Sequence, residues 1–246
     1  MHKKYKNFFL DLFFPKFCLG CKKEGIYLCQ DCRSLLDINE FDYCLCDKNP
    51  LRLASLARGK LSGKCQRCRN KKLSGLYFAL PYKERELTRK LIYQFKYQPY
   101  LKELSETLAS ILIEHFVISQ KNTDEIWDNS VLIPVPLHKN KLKERGYNQS
   151  EELAKELAKI LKIPVISNCL IKIKSTAPQM ELSKEEREKN LLNAFLIKNP
   201  STIARGKKVF LVDDVYTTGS TMEECANVLK TYGAKQVWGI ALAREE

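Results

Sequence analysis

Two neighbouring acids and a cluster of hydroxyl residues lie close together near the carboxyl end of the chain. Asp213 and Asp214 follow the apolar run 209–212, and residues 217–221 read Thr-Thr-Gly-Ser-Thr. Carboxylates accept hydrogen bonds and therefore suit the vicinal hydroxyls of a sugar. Hydroxyl groups and the unpaired amides of a helix start suit a phosphate dianion, and a glycine allows close approach to the backbone. This spacing predicts a site for a ribose 5-phosphate group.

A strand, a turn and a helix must hold these residues in place. The apolar run 209–212 is typical of a buried strand in a parallel sheet. Apolar residues at helical spacing follow, with Gly233 as the predicted C-terminal cap, and Ser220 with Glu223 predicts a capping box. Neither a Walker A loop nor a Gly-x-Gly-x-x-Gly turn is present. A surface turn that only caps a helix is the alternative interpretation.

Eight of the ten cysteines lie before residue 70, in four close pairs: Cys18/Cys21, Cys29/Cys32, Cys44/Cys46 and Cys65/Cys68. Eight thiolates suffice for two tetrahedral zinc sites, and a double zinc ribbon with one or two structural ions is predicted. Sequential pairing assigns the first four cysteines to one ion and the last four to the other, while interleaved pairing stays open. A disulfide framework is the alternative. Cys169 and Cys225 are predicted to be buried thiols.

The chain of 246 residues has a formal charge of +13 and is 44% hydrophobic, so it can bury a substantial core and attract polyanions. Single-stranded nucleic acid is predicted to contact a basic segment, for which a solvated surface is the alternative: Arg52, Arg58, Lys60, Lys64, Arg67 and Arg69. The apolar run 8–14 is interrupted by Asp11 and is too short for a signal peptide. We expect an amphipathic helix ending at Pro15, no membrane span and a cytoplasmic protein.

Strand and helix patterns alternate after residue 72, which predicts a mostly parallel α/β sheet flanked by helices. Strands are predicted at 75–82, from 131, and at 163–167, 170–174, 195–197, 209–212 and 237–242, and helices at 87–97, 101–118 and 150–162. We therefore predict two domains, a cysteine-rich domain of residues 1–72 and an α/β domain of residues 73–246.

A basic loop follows the strand that begins at residue 131, where an open α/β sheet would bind a ligand. Its cations suit a pyrophosphate group: Lys139, Lys141, Lys143 and Arg145. The polar segment 174–194 is predicted to be a lid, with an ordinary charged helix as the alternative.

Two tyrosines flank a lysine on the helix predicted at 87–97. Tyr93, Lys96 and Tyr97 are compatible with stacking on single-stranded bases. We expect instead that the aromatic edges pack against the core. His115 is expected to be a half-buried structural residue rather than a ligand.

Residues 209–221 resemble the 5-phosphoribosyl-1-pyrophosphate (PRPP) loop of the type I phosphoribosyltransferases. In that family, two acids bind the ribose hydroxyls and the following turn holds the 5-phosphate. The resemblance implies that PRPP contacts Asp213, Asp214, Val215, Tyr216, Thr217, Thr218, Gly219, Ser220 and Thr221.

Motifs over nearly the full length are similar to those of ComF-type proteins, which join an N-terminal zinc ribbon to a phosphoribosyltransferase domain. They are Phe-Phe-Pro-x-x-Cys-x-x-Cys from residue 13, Leu-Ile-x-x-x-Lys-Tyr from 91, Val-Pro-Leu-His from 135, Arg-Gly-Tyr-Asn-Gln from 145, Thr-x-x-Gln-x-x-Leu from 176 and Arg-x-x-Asn from 187. The pair Cys44-x-Cys46 departs from the usual Cys-x-x-Cys.

The resemblance implies PRPP binding with Mg²⁺ and a role in natural competence, with handling of single-stranded DNA in the cytoplasm beside a helicase-like partner. If transfer occurs, Asp213 and Asp214 would orient the ribose while Arg145 and Arg187 contact the leaving pyrophosphate, with His138 and Lys139 near the first turn. An active phosphoribosyltransferase of nucleotide metabolism, with an unidentified acceptor and no DNA role, is the alternative.

Overall fold

The structure is a computed structural model that describes residues 15–46, 64–82, 86–98, 100–121, 124–174, 193–198 and 206–245. The predicted amphipathic helix before Pro15, Arg187 and most of the predicted lid lie outside these ranges, as do Arg52, Arg58 and Lys60.

The described ranges form six strands, β1 to β6, and seven α-helices, α1 to α7. The strands are β1 (Gly75–Pro81), β2 (Ser130–Pro134), β3 (Leu170–Lys172), β4 (Phe195–Ile197), β5 (Lys208–Tyr216) and β6 (Gln236–Arg244). The helices are α1 (Gln30–Arg33), α2 (Glu86–Lys96), α3 (Leu104–Ile118), α4 (Asp124–Trp127), α5 (Lys139–Arg145), α6 (Gln149–Leu161) and α7 (Ser220–Thr231). A 3₁₀ turn covers Gln66–Cys68.

The main sheet has four strands in the order β1-β6-β5-β2, and all three pairings are parallel. The apolar runs of β2 and β5 are buried, as expected for strands covered on both faces. A separate antiparallel pair joins β3 to β4. Residues 163–167, predicted as a strand, contribute only an isolated parallel bridge between Val165 and Leu132.

Alternate residues of β5 enter two different core layers, because successive side chains of a strand point to opposite faces. Phe210 and Val212 pack with buried residues of α2, α3 and α6. Val209 and Leu211 pack with buried residues of α7 and the β3–β4 pair. The sheet is therefore covered on one face by helices and on the other by α7 with the β3–β4 pair, and this confirms the predicted α/β class.

The two cysteine groups pack against different layers. Cys18, Cys29 and Cys32 belong to the core of the α3 side, whereas Cys44 and Cys68 belong to the core of the α7 side. On the α3 side, the Arg33 guanidinium donates hydrogen bonds to Glu114 and Ser110 of that helix. The division into domains at residue 72 stays a prediction.

Candidate ligand site and cysteine centres

A cavity of about 730 Å³ opens at the carboxyl ends of the four parallel strands. Its lining includes Tyr82 after β1, residues 135–138 after β2, residues 213–217 at the end of β5 and Glu245 after β6. This is the edge at which open α/β sheets bind ligands, and the volume suits a small molecule.

The acidic pair, Asp213 and Asp214, forms part of the lining of this cavity. Both residues lie within β5, which continues through Tyr216 rather than ending at residue 212. The Ser150 hydroxyl of α6 donates to Asp213 Oδ1 over 2.9 Å. Lys96 Nζ of α2 lies 2.8 Å from Asp214 Oδ1. Two helices from the same layer thus hold the two carboxylates.

Burial and nearby charges change how Asp213 and Lys96 ionise. Burial, together with the negative charge of Asp214, raises the pKa of Asp213 to about 7. Burial disfavours the charged form of Lys96, but the attraction of Asp214 outweighs it, so the pKa of Lys96 is raised. Asp213 is therefore poised to exchange a proton near neutral pH when a ligand alters its surroundings.

Residues 217–221, which we term the hydroxyl turn, connect β5 to α7. Gly219 has a φ of 79°. A Cβ at this position would overlap the Tyr216 hydroxyl, so only glycine fits. Thr218 Oγ1 lies 2.8 Å from Ser220 Oγ. Because Thr217, Gly219 and Thr221 line the cavity, the turn brings hydroxyls and helix-start amides to the same space as the acidic pair.

The predicted capping box is wrong. Gly219 occupies the N-cap of α7 without a side-chain cap, and Ser220 is the first residue of the helix. The Glu223 carboxylate instead accepts hydrogen bonds from the backbone amides of Lys72 and Leu73. Glu223 therefore bonds to residues distant in sequence instead of capping its own helix. The predicted C-terminal feature at Gly233 is confirmed by its φ of 99°.

The basic loop supplies some of the predicted cations and not others. Lys141 and Arg145 line the cavity, as do His138 and Lys172, but Lys139 is not among the lining residues. His138 is the N-cap of α5, where its Nδ1 accepts from the Asn140 amide over 3.4 Å. Burial and the nearby positive charge of Lys141 lower the pKa of Lys172. An anionic ligand would stabilise the charged form of Lys172, which its surroundings disfavour.

Gln149 carries a signal that sequence reasoning missed. The residue is 1% exposed and lines the cavity, and its Nε2 atom has no hydrogen-bond partner within the described part of the chain. An unsatisfied buried amide is costly, so such groups in native proteins call for an explanation. A ligand acceptor in the cavity would satisfy it.

The expectation that Tyr93 and Tyr97 pack against the core is wrong. They are 55% and 45% exposed, and both line the cavity. His115 is buried rather than half-buried, and its Nδ1 lies 2.6 Å from the Asn39 carbonyl oxygen, which agrees with a structural role.

The sulfur atoms gather in the sequential arrangement. The first cysteine group is Cys18, Cys21, Cys29 and Cys32; the second is Cys44, Cys46, Cys65 and Cys68; within each, the sulfurs lie within 4.8 Å of one another. The Cys21 and Cys29 sulfurs are 3.5 Å apart, and the Cys44 and Cys46 sulfurs are 3.8 Å apart. Four thiolates bound tetrahedrally to one zinc ion lie at similar separations from one another. All ten cysteines are free thiols, and both groups therefore fit a zinc ion.

Backbone amides support these sulfurs. The amide of Cys29 donates to Cys18 Sγ over 3.4 Å, and the amide of Cys65 donates to Cys44 Sγ over 3.0 Å. Amide donors stabilise thiolates and orient them toward a metal. The short Cys44-x-Cys46 spacing therefore does not prevent the second group from closing.

Three of the predicted nucleic-acid contacts lie in the described ranges. Arg67 and Arg69 are exposed. Lys64 Nζ donates to the carbonyl oxygens of Arg69 and Lys71, so it holds the loop of the second cysteine group. Within the described ranges, no helix has the length and apolar character that crossing a membrane requires.

Comparison with known proteins places these features in a family context. Residues 148–245 match the model of the phosphoribosyl transferase domain. The chain is 38% identical over 155 residues to competence protein F of Haemophilus influenzae, covering 62% of this chain and 67% of that protein. It is 34% identical over 151 residues to the DNA utilization protein YhgH of Salmonella typhimurium, covering 60% of this chain and 64% of that protein, which is less than two thirds of its length.

Among solved structures, a purine phosphoribosyltransferase from Pyrococcus horikoshii has 18% identity and a TM-score of 0.32, with coverage of 58% of this chain and 83% of that one.

Proposed function

The chain belongs to the competence protein F family, and from this premise we propose that it binds PRPP with Mg²⁺ and acts on single-stranded DNA in natural competence. The observation that carries the proposal is the cavity itself. It brings together the acidic pair, the hydroxyl turn and a set of cations at the carboxyl edge of a parallel sheet. The family model, which covers β5 and α7, supports the same assignment.

Each part of PRPP has a matching group in the cavity. The ribose hydroxyls suit the acidic pair, since carboxylates accept hydrogen bonds. The 5-phosphate suits the hydroxyl turn at the start of α7, where unpaired amides carry partial positive charge. The pyrophosphate suits Lys141, Arg145 and Lys172. Gln149 Nε2 supplies a further donor that the protein itself does not satisfy within its described residues.

Phosphoribosyl transfer is the finer part of the proposal. The bond between the anomeric carbon and the pyrophosphate oxygen would break with its electron pair leaving on the pyrophosphate, and an acceptor would then bond to that carbon. Negative charge grows on the leaving group, so Lys141 and Arg145 would stabilise it. Bound Mg²⁺ would supply further charge neutralisation on the pyrophosphate. Asp213 and Asp214 would hold the ribose ring in place.

The cysteine groups are proposed to be structural zinc sites. Each offers four sulfurs, and a tetrahedral site with four protein ligands leaves no open position for a substrate. The proposal for DNA is supported by the names of the relatives, by the exposed Arg67 and Arg69 and by the net charge of +13. A helicase-like partner and a cytoplasmic location remain part of the proposal.

Calorimetric titration of PRPP with Mg²⁺ tests the ligand assignment. We expect binding by the wild-type chain and its loss in the Asp213→Asn/Asp214→Asn variant. Asp128→Asn, an exposed acid outside the cavity lining, is the matched control and should bind as the wild type does. Equal affinity in the double variant and the wild type would refute the assignment. Turnover of PRPP with a defined acceptor would establish transfer.

A further inference from the structure

We propose that Tyr93 and Tyr97 form a stacking subsite for a base of single-stranded DNA in the cavity that holds the acidic pair. The inference deepens the proposed function, because it assigns the DNA contact to the ligand cavity rather than to the basic segment 52–69 alone. It rests on the proposed function only for the identity of the partner.

The two tyrosines, which we term the tyrosine pair, lie at the end of α2: Tyr93 is in the last turn, and Tyr97 directly follows the helix with its amide still bonded to the Tyr93 carbonyl oxygen. Their ring centroids lie 4.9 Å apart with an interplanar angle of 34°. Residues four apart share one face of a helix. The opposite face of α2 carries Leu91, Ile92 and Phe95, all of which are buried. The core therefore does not account for the tyrosine pair, which adds two large aromatic surfaces to the outside of the helix.

Contacts at the end of α2 hold this helix in a fixed position. Lys96, between the two tyrosines in sequence, is ion-paired to Asp214 over 2.8 Å. The Tyr147 hydroxyl donates to the Phe95 carbonyl oxygen over 2.5 Å. Both partners belong to the cavity or to the loop beside it. The backbone that carries the two rings is thus held next to the acidic pair before any ligand arrives, which lowers the entropic cost of stacking.

Cations share the cavity with the tyrosine pair. The Arg145 guanidinium lies 5.8 Å from the centroid of the Tyr97 ring, and Arg89 and Lys141 line the same cavity. Glu86 also lines it and is ion-paired with Lys90 over 2.7 Å. Phosphates joined to a stacked base would meet arginine and lysine side chains, which is the arrangement that single-strand-binding proteins use.

The chemistry favours a nucleobase over other occupants. Every base offers a π-face, so stacking on tyrosine tolerates any sequence, as DNA uptake would require. An aliphatic ligand would have no charged group for the cations to bind, and a simple polyanion would have no flat surface to stack on the tyrosine rings. Because the cavity also holds the acidic pair, a strand on the tyrosines would lie next to bound PRPP.

Fluorescence anisotropy with two labelled probes at fixed salt tests the inference. The probes are an oligothymidylate of about ten nucleotides, within the site sizes known for single-strand binding, and an abasic strand of equal length. We expect the full-length wild type to bind the oligothymidylate more tightly than the abasic strand. The Tyr93→Leu/Tyr97→Leu variant should lose roughly 5- to 150-fold in affinity for the oligothymidylate and change little toward the abasic strand.

Two further variants separate stacking from general damage. Tyr93→Phe/Tyr97→Phe keeps the rings and should retain most of the affinity. Tyr232→Leu removes a partly exposed tyrosine outside the cavity lining and should leave binding unchanged. An equal loss for both probes in the double leucine variant, or no loss for either, overturns the inference, as does a wild type that binds both probes equally.

A PRPP titration of the same variants keeps the two proposals apart. The double leucine variant should keep most of its PRPP affinity, since the acidic pair and the hydroxyl turn are intact and only the packing of Arg145 on the Tyr97 ring is lost. If the wild type does not bind PRPP but distinguishes the two DNA probes, the proposed ligand fails and the stacking subsite stands. If the wild type binds PRPP but the tyrosine substitutions do not affect DNA binding, the proposed ligand stands and the stacking subsite fails.

Discussion

The Arg244 guanidinium donates a hydrogen bond of 2.9 Å to the carbonyl oxygen of Cys44, so the end of the last strand holds the second cysteine group. A second nitrogen of the same guanidinium donates to the Leu45 carbonyl oxygen over 3.3 Å. The Tyr216 hydroxyl donates to the same Leu45 oxygen over 3.5 Å, and Tyr216 directly precedes the hydroxyl turn. The second cysteine group therefore supports the phosphate end of the cavity.

Loss of the second cysteine group should weaken PRPP binding. Cys68→Ser removes one ligand, and we expect the zinc content to fall by about one ion per chain. Loosening the hydrogen bonds to Cys44 and Leu45, each worth about 1 kcal/mol, should lower PRPP affinity by roughly tenfold. Zinc analysis and calorimetry measure the two effects.

The first cysteine group offers the matched control for that experiment. Cys32→Ser removes the equivalent ligand of the first group, which packs on the α3 side of the sheet. It should lower the zinc content equally and change PRPP affinity less. An equal change in PRPP affinity for both variants would contradict the coupling.

Replacing Gly219 with alanine should disrupt the hydroxyl turn. An added Cβ would overlap the Tyr216 hydroxyl, and a positive φ strains any residue with a side chain. We expect PRPP affinity to fall by more than about tenfold, since small displacements of binding groups are costly. Titration of PRPP measures the change.

Gly206→Ala is the matched control for that substitution. Gly206 has a similar φ of 72°, and nothing lies within 4 Å of a Cβ built there. It carries the backbone strain without the clash and lies outside the cavity lining. Its PRPP affinity should match that of the wild type, and an equal loss in both variants would show that the clash with Tyr216 is irrelevant.

The unpaired amide of Gln149 should lower the stability of the folded protein. Gln149→Leu removes a buried amide nitrogen that lacks a partner among the described residues, and it retains most of the side-chain volume. We expect the free energy of unfolding to rise by about 1 kcal/mol, because the cost of leaving that group unsatisfied is removed. PRPP affinity should fall in the same variant.

Thermal unfolding and calorimetry on the same preparation test both parts. Ser105→Ala changes another buried polar residue away from the cavity lining and should leave PRPP affinity unchanged. A Gln149→Leu protein that is less stable and binds PRPP normally would show that the amide serves the fold instead.

Asp213 should make stability depend on pH. Its pKa is about 7 in the folded protein, above the ordinary value of 3.8, so the folded state binds the extra proton between these values. Stability from this residue is therefore greatest at low pH and falls as pH rises from about 4 to 7, by at most about 1.4 kcal/mol per pH unit.

Asp213→Asn removes that dependence. The melting temperature of the variant should exceed that of the wild type at about pH 8, and the difference should shrink toward about pH 4. Thermal unfolding across this range measures it, and a constant difference would show that Asp213 ionises normally. Replacement of a functional residue often raises stability while it weakens ligand binding.

Local patterns predicted the unit of β5, turn and α7 because the chemistry of that unit lies within two dozen consecutive residues. The cysteine groups were also predictable, since each close pair places two sulfurs together. The helical period of α2 identified its buried face through Leu91, Ile92 and Phe95. It could not show whether the other face was covered, and for that reason the exposure of Tyr93 and Tyr97 was missed.

Contacts between distant segments account for the other errors. Glu223 matches a capping box in sequence, but the amides of Lys72 and Leu73 reach it from a remote part of the chain. The ion pair between Lys96 and Asp214 joins the end of α2 to the end of β5, and no local sequence pattern relates these two segments. The unpaired amide of Gln149 becomes visible only when burial and every possible partner among the described residues are known.

The order of strands in the main sheet has a consequence for how the chain is made. Within the described ranges, β1 pairs only with β6, which is the most distant strand of the sheet in sequence. During synthesis, the apolar residues of β1 therefore lack their backbone partner until β6 has been translated. Such long-range parallel pairing is slow, and the exposed apolar surface of β1 favours aggregation of the nascent polypeptide until β6 emerges.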